Sequence, residues 1–95
     1  MHTDYQYLTR LRKTFSRFLA AHPEAAHELL VKSAGIPVLS LTCENKAEIL
    51  NDSDCTENAR FLIRCSNGLD YTCLIVLDQA LNIGIHVFDR PQMMS

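Results

Sequence analysis

The chain has 95 residues, of which 47% are hydrophobic and 21% are charged, and its formal net charge is −2. This composition is ordinary for one globular domain with a small core. It argues against wholesale disorder and weakly against a dedicated nucleic-acid binder. The longest apolar run, residues 73–77, is too short to span a bilayer. The first residues lack the basic start and apolar stretch of a secretory signal, so we expect a small soluble cytoplasmic domain without membrane contact.

A first amphipathic helix is predicted to run to about Ala21. Thr3 and Gln6 fit a capping box, in which the threonine is the N-cap and the glutamine follows three residues later. The expected buried stripe repeats at spacings of three and four residues and consists of Leu8, Leu11, Phe15 and Phe18. Basic residues repeat with the same spacing on the opposite side, at Arg10, Lys13 and Arg17.

A second helix is predicted over residues 24–34, directly after the first. His22 precedes Pro23 and should end the first helix, because a residue before proline avoids the α region. Pro23 suits the first turn of the next helix, and Gly35 suits its C-terminal end. The two helices are therefore expected to form an αα-hairpin over residues 4–34.

The middle of the chain, residues 36–58, is predicted to contain a strand at Val38–Cys43 and an acidic loop at 51–58. Asn45 and Glu48 fit the start of a short helix that ends at Leu50.

The region from about residue 60 to 89 reads as an antiparallel meander of three strands, followed by a flexible tail at 90–95. Asn67 and Gly68 favour a two-residue type I′ turn. That turn places Arg64 opposite Tyr71 and Leu62 opposite Cys73. A symmetric loop of two or four residues near 78–81 would then place Cys73 opposite His86 and Ile75 opposite Gly84. We thus predict a single α+β domain over residues 1–95, with the helical hairpin on one face of a three- to four-stranded antiparallel sheet and the order α-α-β-(short α)-β-β-β.

Directly opposed residues of antiparallel strands share a face, so this register sorts the meander into two surfaces. The expected core face is aliphatic and consists of Phe61, Ile63, Cys65, Thr72, Leu74, Val76, Ile83, Ile85 and Val87. The other face is mixed and consists of Leu62, Arg64, Tyr71, Cys73, Ile75, Asn82, His86 and Phe88. Arginine and aromatic side chains among aliphatic ones are typical of an interaction surface. Two alternatives remain open: a helix or the 36–58 segment covers the mixed face, or a second copy of the chain does.

No metal or cofactor site is predicted from the sequence. The four cysteines are Cys43, Cys55, Cys65 and Cys73, and they contain no C-x-x-C pair. The predicted register separates Cys65 and Cys73 onto opposite faces, and buried free thiols are the expected state. His22 and His27 are not spaced to converge on a metal. The three glycines are isolated, which excludes a glycine-rich phosphate loop.

Three functional hypotheses follow, from different classes. The leading one is a non-enzymatic protein-binding domain of inhibitor, immunity or adaptor type, with another protein as partner and self-association as an option. Its expected binding residues are Arg64, Tyr71, Cys73, His86 and Phe88. The alternative is a nucleic-acid-binding accessory protein that uses the same face together with the basic first helix. The third is a thiol enzyme or redox sensor at Cys73 and His86.

Overall fold

The computed structural model describes residues 5–51 and 57–89. Its element order is α-α-β-α-β-β-β, with helices packed on a four-stranded antiparallel sheet, which confirms the predicted α+β fold. Several features named in the sequence analysis lie outside the described residues. They are the predicted cap Thr3, the cysteine Cys55, most of the acidic loop, and the tail at 90–95. Within the described ranges, no helix has the length and apolar character needed to cross a bilayer.

The two N-terminal helices form the predicted hairpin. Helix α1 spans Tyr5–Ala21, and α2 spans Pro23–Glu28 with proline in its first turn. The second helix continues as a wider π-helical segment, Leu29–Ser33, in which the Ala34 N–H donates to the Leu29 carbonyl at 3.3 Å. The wider turn ends just before Gly35, whose φ of +69° suits the end of a helix.

The sheet contains four strands in the order of the chain. These are β1 (Val38–Cys43), β2 (Ala59–Cys65), β3 (Asp70–Leu77) and β4 (Ile83–Asp89), so β1 and β4 are the edge strands. The short helix α3, Lys46–Leu50, follows β1 as predicted.

Asn45 differs from its predicted role as a helix cap. Its buried side-chain amide donates to the Asn58 carbonyl at 2.9 Å and accepts from the Arg60 N–H at 3.0 Å. It makes no side-chain capping bond to α3. The residue therefore joins the end of β1 to the start of β2, a long-range role that local sequence patterns do not reveal.

The core lies between the helices and one face of the sheet. Helix α1 packs over β2 and β3, and α2 packs over β1. The buried apolar residues are Leu19, Ala20, Ala26, Leu30, Val38, Ile49, Ala59, Phe61, Ile63, Cys65, Cys73 and Ile75. The free face of the sheet lies on the opposite side.

The buried side of α1 is rotated from the predicted stripe. Ser16 is fully buried, whereas Phe18 is about half exposed. The Ser16 hydroxyl donates to the Glu57 carbonyl at 2.8 Å, and Arg12 Nε donates to the Leu77 carbonyl at 2.7 Å. Arg12 also pairs with the Glu57 carboxylate at 3.5 Å. Polar side chains thus dock α1 on the sheet, and hydrophobic periodicity counts such residues as exposed.

Candidate functional site

The turn at Asn67 and Gly68 differs from the predicted type I′ turn. Gly68 alone has positive φ, at +86°, and its N–H donates to the Cys65 carbonyl at 2.9 Å. The Cys65 N–H donates to the Leu69 carbonyl at 3.0 Å, so the loop has three residues, 66–68. This is the type I turn with a glycine bulge, the next commonest hairpin connection.

The extra loop residue shifts the β2–β3 register by one position. Arg64 lies opposite Asp70, and Phe61 lies opposite Cys73. The predicted pairs Arg64–Tyr71 and Leu62–Cys73 are therefore wrong.

The second turn repeats the same geometry. The Asp78 N–H donates to the Asn82 carbonyl at 2.9 Å, and the Leu81 N–H donates to the Asp78 carbonyl at 3.0 Å. Leu81 takes the bulge position with φ +67°. The Asp78 carboxylate stabilises the loop by accepting from the N–H groups of Ala80 and Asn82, both at 2.8 Å.

This second three-residue loop shifts the β3–β4 register as well. Cys73 lies opposite Val87, and Ile75 lies opposite Ile85. The predicted pairs Cys73–His86 and Ile75–Gly84 are therefore wrong.

The two register shifts cancel each other on β4, whose residues keep their predicted faces. The residues of β3 exchange faces. Arg64, His86 and Phe88 stay on the face away from the helices, as predicted, because β2 and β4 keep their assignment. Tyr71 and Cys73 lie on the helix side instead, where Tyr71 packs against the core and Cys73 is 0% exposed. Ile75 also lies in the core, contrary to the prediction. Thr72, Leu74 and Val76 lie on the sheet face away from the helices and not on the predicted core face.

Cys73 has the properties of an inert core thiol. Burial raises the pKa of Cys73 to about 11, so the reactive thiolate is disfavoured at neutral pH. Its side chain and that of His86 point to opposite sides of the sheet. The geometry therefore removes the thiol–imidazole pair on which the enzyme hypothesis rested.

The remaining candidate metal ligands do not converge among the described residues. Cys65 lies on the same face as Cys73, which corrects their predicted separation, but the two occupy different rows of the β2–β3 ladder. His22 Nδ1 lies 3.3 Å from Glu24, and His27 Nε2 lies 3.2 Å from the Val38 carbonyl. Within residues 5–51 and 57–89, no three His, Cys, Asp or Glu side chains are grouped to hold a metal ion.

The sheet surface away from the helices, here called the open face, has an apolar centre and a polar border. Its members are Ser40, Thr42, Arg60, Leu62, Arg64, Asp70, Thr72, Leu74, Val76, Gly84, His86 and Phe88. Leu62, Thr72 and Phe88 form one cross-strand row, and Arg60, Leu74 and His86 form the next. Phe88 is 50% exposed, and Leu62 and Leu74 are half-buried between longer neighbours.

Two ion pairs hold the arginines at the border of the open face. Arg64 donates to both carboxylate oxygens of Asp70, at 2.8 and 3.1 Å, and this bidentate hydrogen bonding raises the pKa of Arg64. Arg60 lies 3.4 Å from the Glu44 carboxylate. Both guanidinium groups therefore have defined orientations beside the apolar centre.

None of the described helices covers the open face. The 36–58 segment, which was one candidate cover, instead contributes β1 as an edge strand beside β2. Sequence reasoning missed Arg60, Leu74 and Val76 as members of this face. Arg60 was detectable, because it alternates with Leu62 and Arg64 along one strand; Leu74 and Val76 were not, because their side depends on the loop length.

No protein-family model, no curated protein and no solved structure matches the chain.

Proposed function

We propose that this chain is a non-enzymatic protein-binding domain, of inhibitor, immunity or adaptor type, that acts through the open face of its sheet. The observation that carries the proposal is an apolar centre bordered by oriented arginines on a face that no described helix covers. Such a surface buries apolar area at its middle and offers hydrogen bonds at its rim, the arrangement found at protein interfaces. The free thiols of Cys43, Cys65 and Cys73 are consistent with a reducing compartment and support the proposal of a cytoplasmic protein.

Phe88 is the expected anchor of this interface. A half-exposed aromatic ring can still bury much of its area against a partner, and aromatic and arginine side chains dominate the energetics of interfaces. Thr72 lies between Phe88 and Leu62 in one cross-strand row, and Leu74 lies in the next row. The two leucines supply the apolar surroundings that such an anchor needs.

Arg64 is the expected polar contact. A guanidinium carries five N–H donors, and Asp70 accepts only two hydrogen bonds from it. Arg64 can therefore keep its orientation while donating to a carboxylate or carbonyl of the partner. Because the side chain is already oriented, less conformational entropy is lost on binding.

The nucleic-acid alternative is disfavoured by the placement of α1. Arg10, Lys13 and Arg17 belong to a helix that packs on the core side of the sheet, whereas Phe88 lies on the other side. One nucleic-acid strand cannot stack on the open face and contact this helix at once. Without α1, the face has two arginines, each beside a carboxylate, which is a weak basis for phosphate binding.

The proposal can be tested by affinity capture from the lysate of the native host, followed by mass spectrometry. We compare the natural chain with the double variant Arg64→Ala and Phe88→Ala. The expected result is a protein that the natural chain captures and that the double variant loses by at least about tenfold. Tyr7→Ala is the matched control, because Tyr7 is an aromatic residue of similar exposure, 59%, on α1.

The fold of each variant is checked by circular dichroism and thermal melting. Equal capture by the folded double variant and the natural chain contradicts the proposal. Capture that disappears with added salt and nuclease treatment supports the nucleic-acid alternative instead.

A further inference from the structure

Strand β4 is an edge strand whose outer hydrogen-bonding groups meet no described strand. Asp78 and Asn82 form a hydrogen-bonded pair, and such pairs alternate along an antiparallel ladder. The backbone groups of Gly84, His86 and Phe88 therefore point toward β3. Those of the odd-numbered residues, Ile83 to Asp89, point outward as a row of donors and acceptors.

The two edges of the sheet differ in how they are protected. On β1, the register shifts between Val38 and Ser40, so Leu39 is an extra, bulged residue that interrupts the outer edge. On β4, the pairing with β3 runs through all seven residues without a shift. Asp89, its last residue, is the only Asp, Glu, Lys or Arg on this strand, and His86 lies at its centre. The outer edge of β4 thus lacks the bulge and the central Lys, Arg, Asp or Glu side chains that usually prevent strand pairing.

Both faces of β4 also present apolar side chains to solvent. Ile83 is 43% exposed and Val87 is 40% exposed on the helix side, and Phe88 is half exposed on the open face. A strand added beside β4 would cover apolar area on both sides while it satisfied the outward backbone groups.

We propose that β4 pairs antiparallel with β4 of a second copy, about a two-fold axis that passes through His86. The outward groups belong to odd-numbered residues, so hydrogen-bonded pairs must join odd positions to odd positions. Full overlap of the seven residues then fixes the register, with Ile85 opposite Val87 of the second copy and His86 opposite His86 of the second copy. The product is one continuous sheet of eight strands, four from each copy.

This register is complementary at its flanking positions on the open face. Gly84 lies opposite Phe88 of the second copy. Because glycine has no side chain, the ring can lie over its backbone, an arrangement that stabilises glycine in sheets. A Cβ at Gly84 would meet the side chains of Val76 and His86 at 3.4 and 3.5 Å, so a ring over this backbone would pack against these two neighbours.

The start of the strand adjoins a groove on the helix side. Ile83 lies opposite Asp89 of the second copy, on the helix side. Ile83 also lines an apolar groove of about 430 Å³ between the two helices and β4, whose border carries Glu28 and Lys32, an ion pair at 3.0 Å. The antiparallel arrangement therefore brings the end of each β4 beside the other copy's groove.

Sedimentation velocity over a wide range of protein concentrations tests the association. The natural chain is expected to convert from monomer to dimer as concentration rises. Val87→Lys places a charge opposite Ile85 of the second copy, and we expect it to raise the midpoint concentration at least about tenfold. Val87→Thr is the matched control, because it keeps a β-branched side chain without charge, and its midpoint is expected to stay within about threefold of the natural chain's. A natural chain that stays monomeric at every concentration overturns the proposal. An extended segment of another protein would then be the alternative partner of the β4 edge.

Cysteine cross-linking tests the register itself. His86 and its copy form a non-hydrogen-bonded pair with Cα atoms about 4.5 Å apart, within the range that a disulfide can bridge. His86→Cys is expected to give a disulfide-linked dimer under mild oxidation. Phe88→Cys is the control, since the two copies of that position lie roughly 13 Å apart along the strands. Sedimentation of this variant under reducing conditions checks that it still dimerises without the ring. Equal cross-linking of the two variants, or none in either, overturns this register.

The association can be tested separately from the binding of the open-face partner, although Phe88 belongs to both surfaces. Val87 lies on the helix side of β4, so Val87→Lys removes self-pairing without altering Arg64 or Phe88. Partner capture by the Val87→Lys variant and dimer formation by the Arg64→Ala variant can therefore be scored separately.

Discussion

Burial of Cys73 makes the stability of the fold sensitive to alkaline pH. In the folded chain the pKa of this thiol is raised from 9.0 to about 11 by desolvation, so the folded state keeps a proton that the unfolded chain loses. Between these two pKa values the free energy of unfolding should therefore fall as pH rises. Burial also raises the pKa of Cys43, which acts in the same direction.

Denaturant unfolding at a series of pH values from neutral to about 11 measures this effect. Cys73→Ala is the comparison, because it removes the titrating group at the cost of a small cavity. We expect a shallower decline of stability with pH in the variant, whatever its absolute stability. Parallel pH profiles for the two proteins would show that Cys73 does not titrate in this window.

At the scale of single residues, sequence reasoning predicted the burial of Cys65 and Cys73 better than their neighbours. Both are buried, as predicted, because small apolar side chains in strands are usually buried. Cys43 is only half-buried, and its thiol lies 3.5 Å from the Asn45 side chain. Their neighbours depend on strand pairing, which residue type does not encode.

At the scale of elements, the two hairpin loops share one geometry but differ at the bulge position. Gly68 adopts positive φ freely, whereas the side chain of Leu81 makes the same conformation costly by about 1–2 kcal/mol. Leu81→Gly removes this strain and loses little burial, because the side chain is half exposed. We expect Leu81→Gly to stabilise the fold by up to about 1 kcal/mol, after the greater flexibility of the unfolded glycine is included.

Gly68→Ala is the reciprocal change and should destabilise the fold by about 1 kcal/mol. An added Cβ at Gly68 meets no atom within 4 Å, so the effect isolates the backbone conformation. Thermal and denaturant unfolding of both variants measure the difference. A stabilising Gly68→Ala, or a Leu81→Gly variant that loses more than about 1 kcal/mol, would contradict the three-residue loops.

The same loops explain how far the candidate surface could be predicted. Asn67 and Gly68 locate the first turn, and alternating apolar residues locate the strands on either side. They do not decide between a two-residue and a three-residue loop, because both can place positive φ at Gly68. A difference of one residue inverts the next strand, so Tyr71 was assigned to the wrong face. Phe88 was assigned to the correct face only because the register shift at the second loop reversed the shift at the first.

At the scale of the whole molecule, the helical layer covers the sheet unevenly. Helices α1 and α2 cover β1 to β3, and the side chains of β4 remain largely exposed. The predicted order of elements was correct because helix ends, turn residues and strand alternation are all local signals. The rotation of α1 was not predictable, since Arg12 and Ser16 bind backbone groups of residues more than 40 positions away.

Hydrogen exchange should report this uneven cover. The amides of Phe61 and Ile63 lie in a central strand and belong to fully buried residues, whereas those of Ile85 and Val87 point away from β3. In the Val87→Lys variant, which keeps the edge open, we expect the Ile85 amide to exchange at least about a hundredfold faster than the Ile63 amide. In the natural chain at high concentration, the Ile85 amide should slow down.

Mass spectrometry or NMR gives these rates residue by residue. Similar exchange at Ile63 and Ile85 in the variant would mean that β4 is not an unpaired edge.

The agreement between strand order and chain order also bears on how the protein reaches its fold. Each strand pairs with its nearest neighbour along the chain, and two of the three pairings close across loops of three residues. Short closures cost little chain entropy, so hairpins of this kind can form within microseconds and add strands one after another. We expect the β2–β3 hairpin to form first, since it carries Phe61, Ile63 and Cys73 into the core. Strand β4, the most exposed strand of the finished sheet, would then be added to the β2–β3 hairpin from outside.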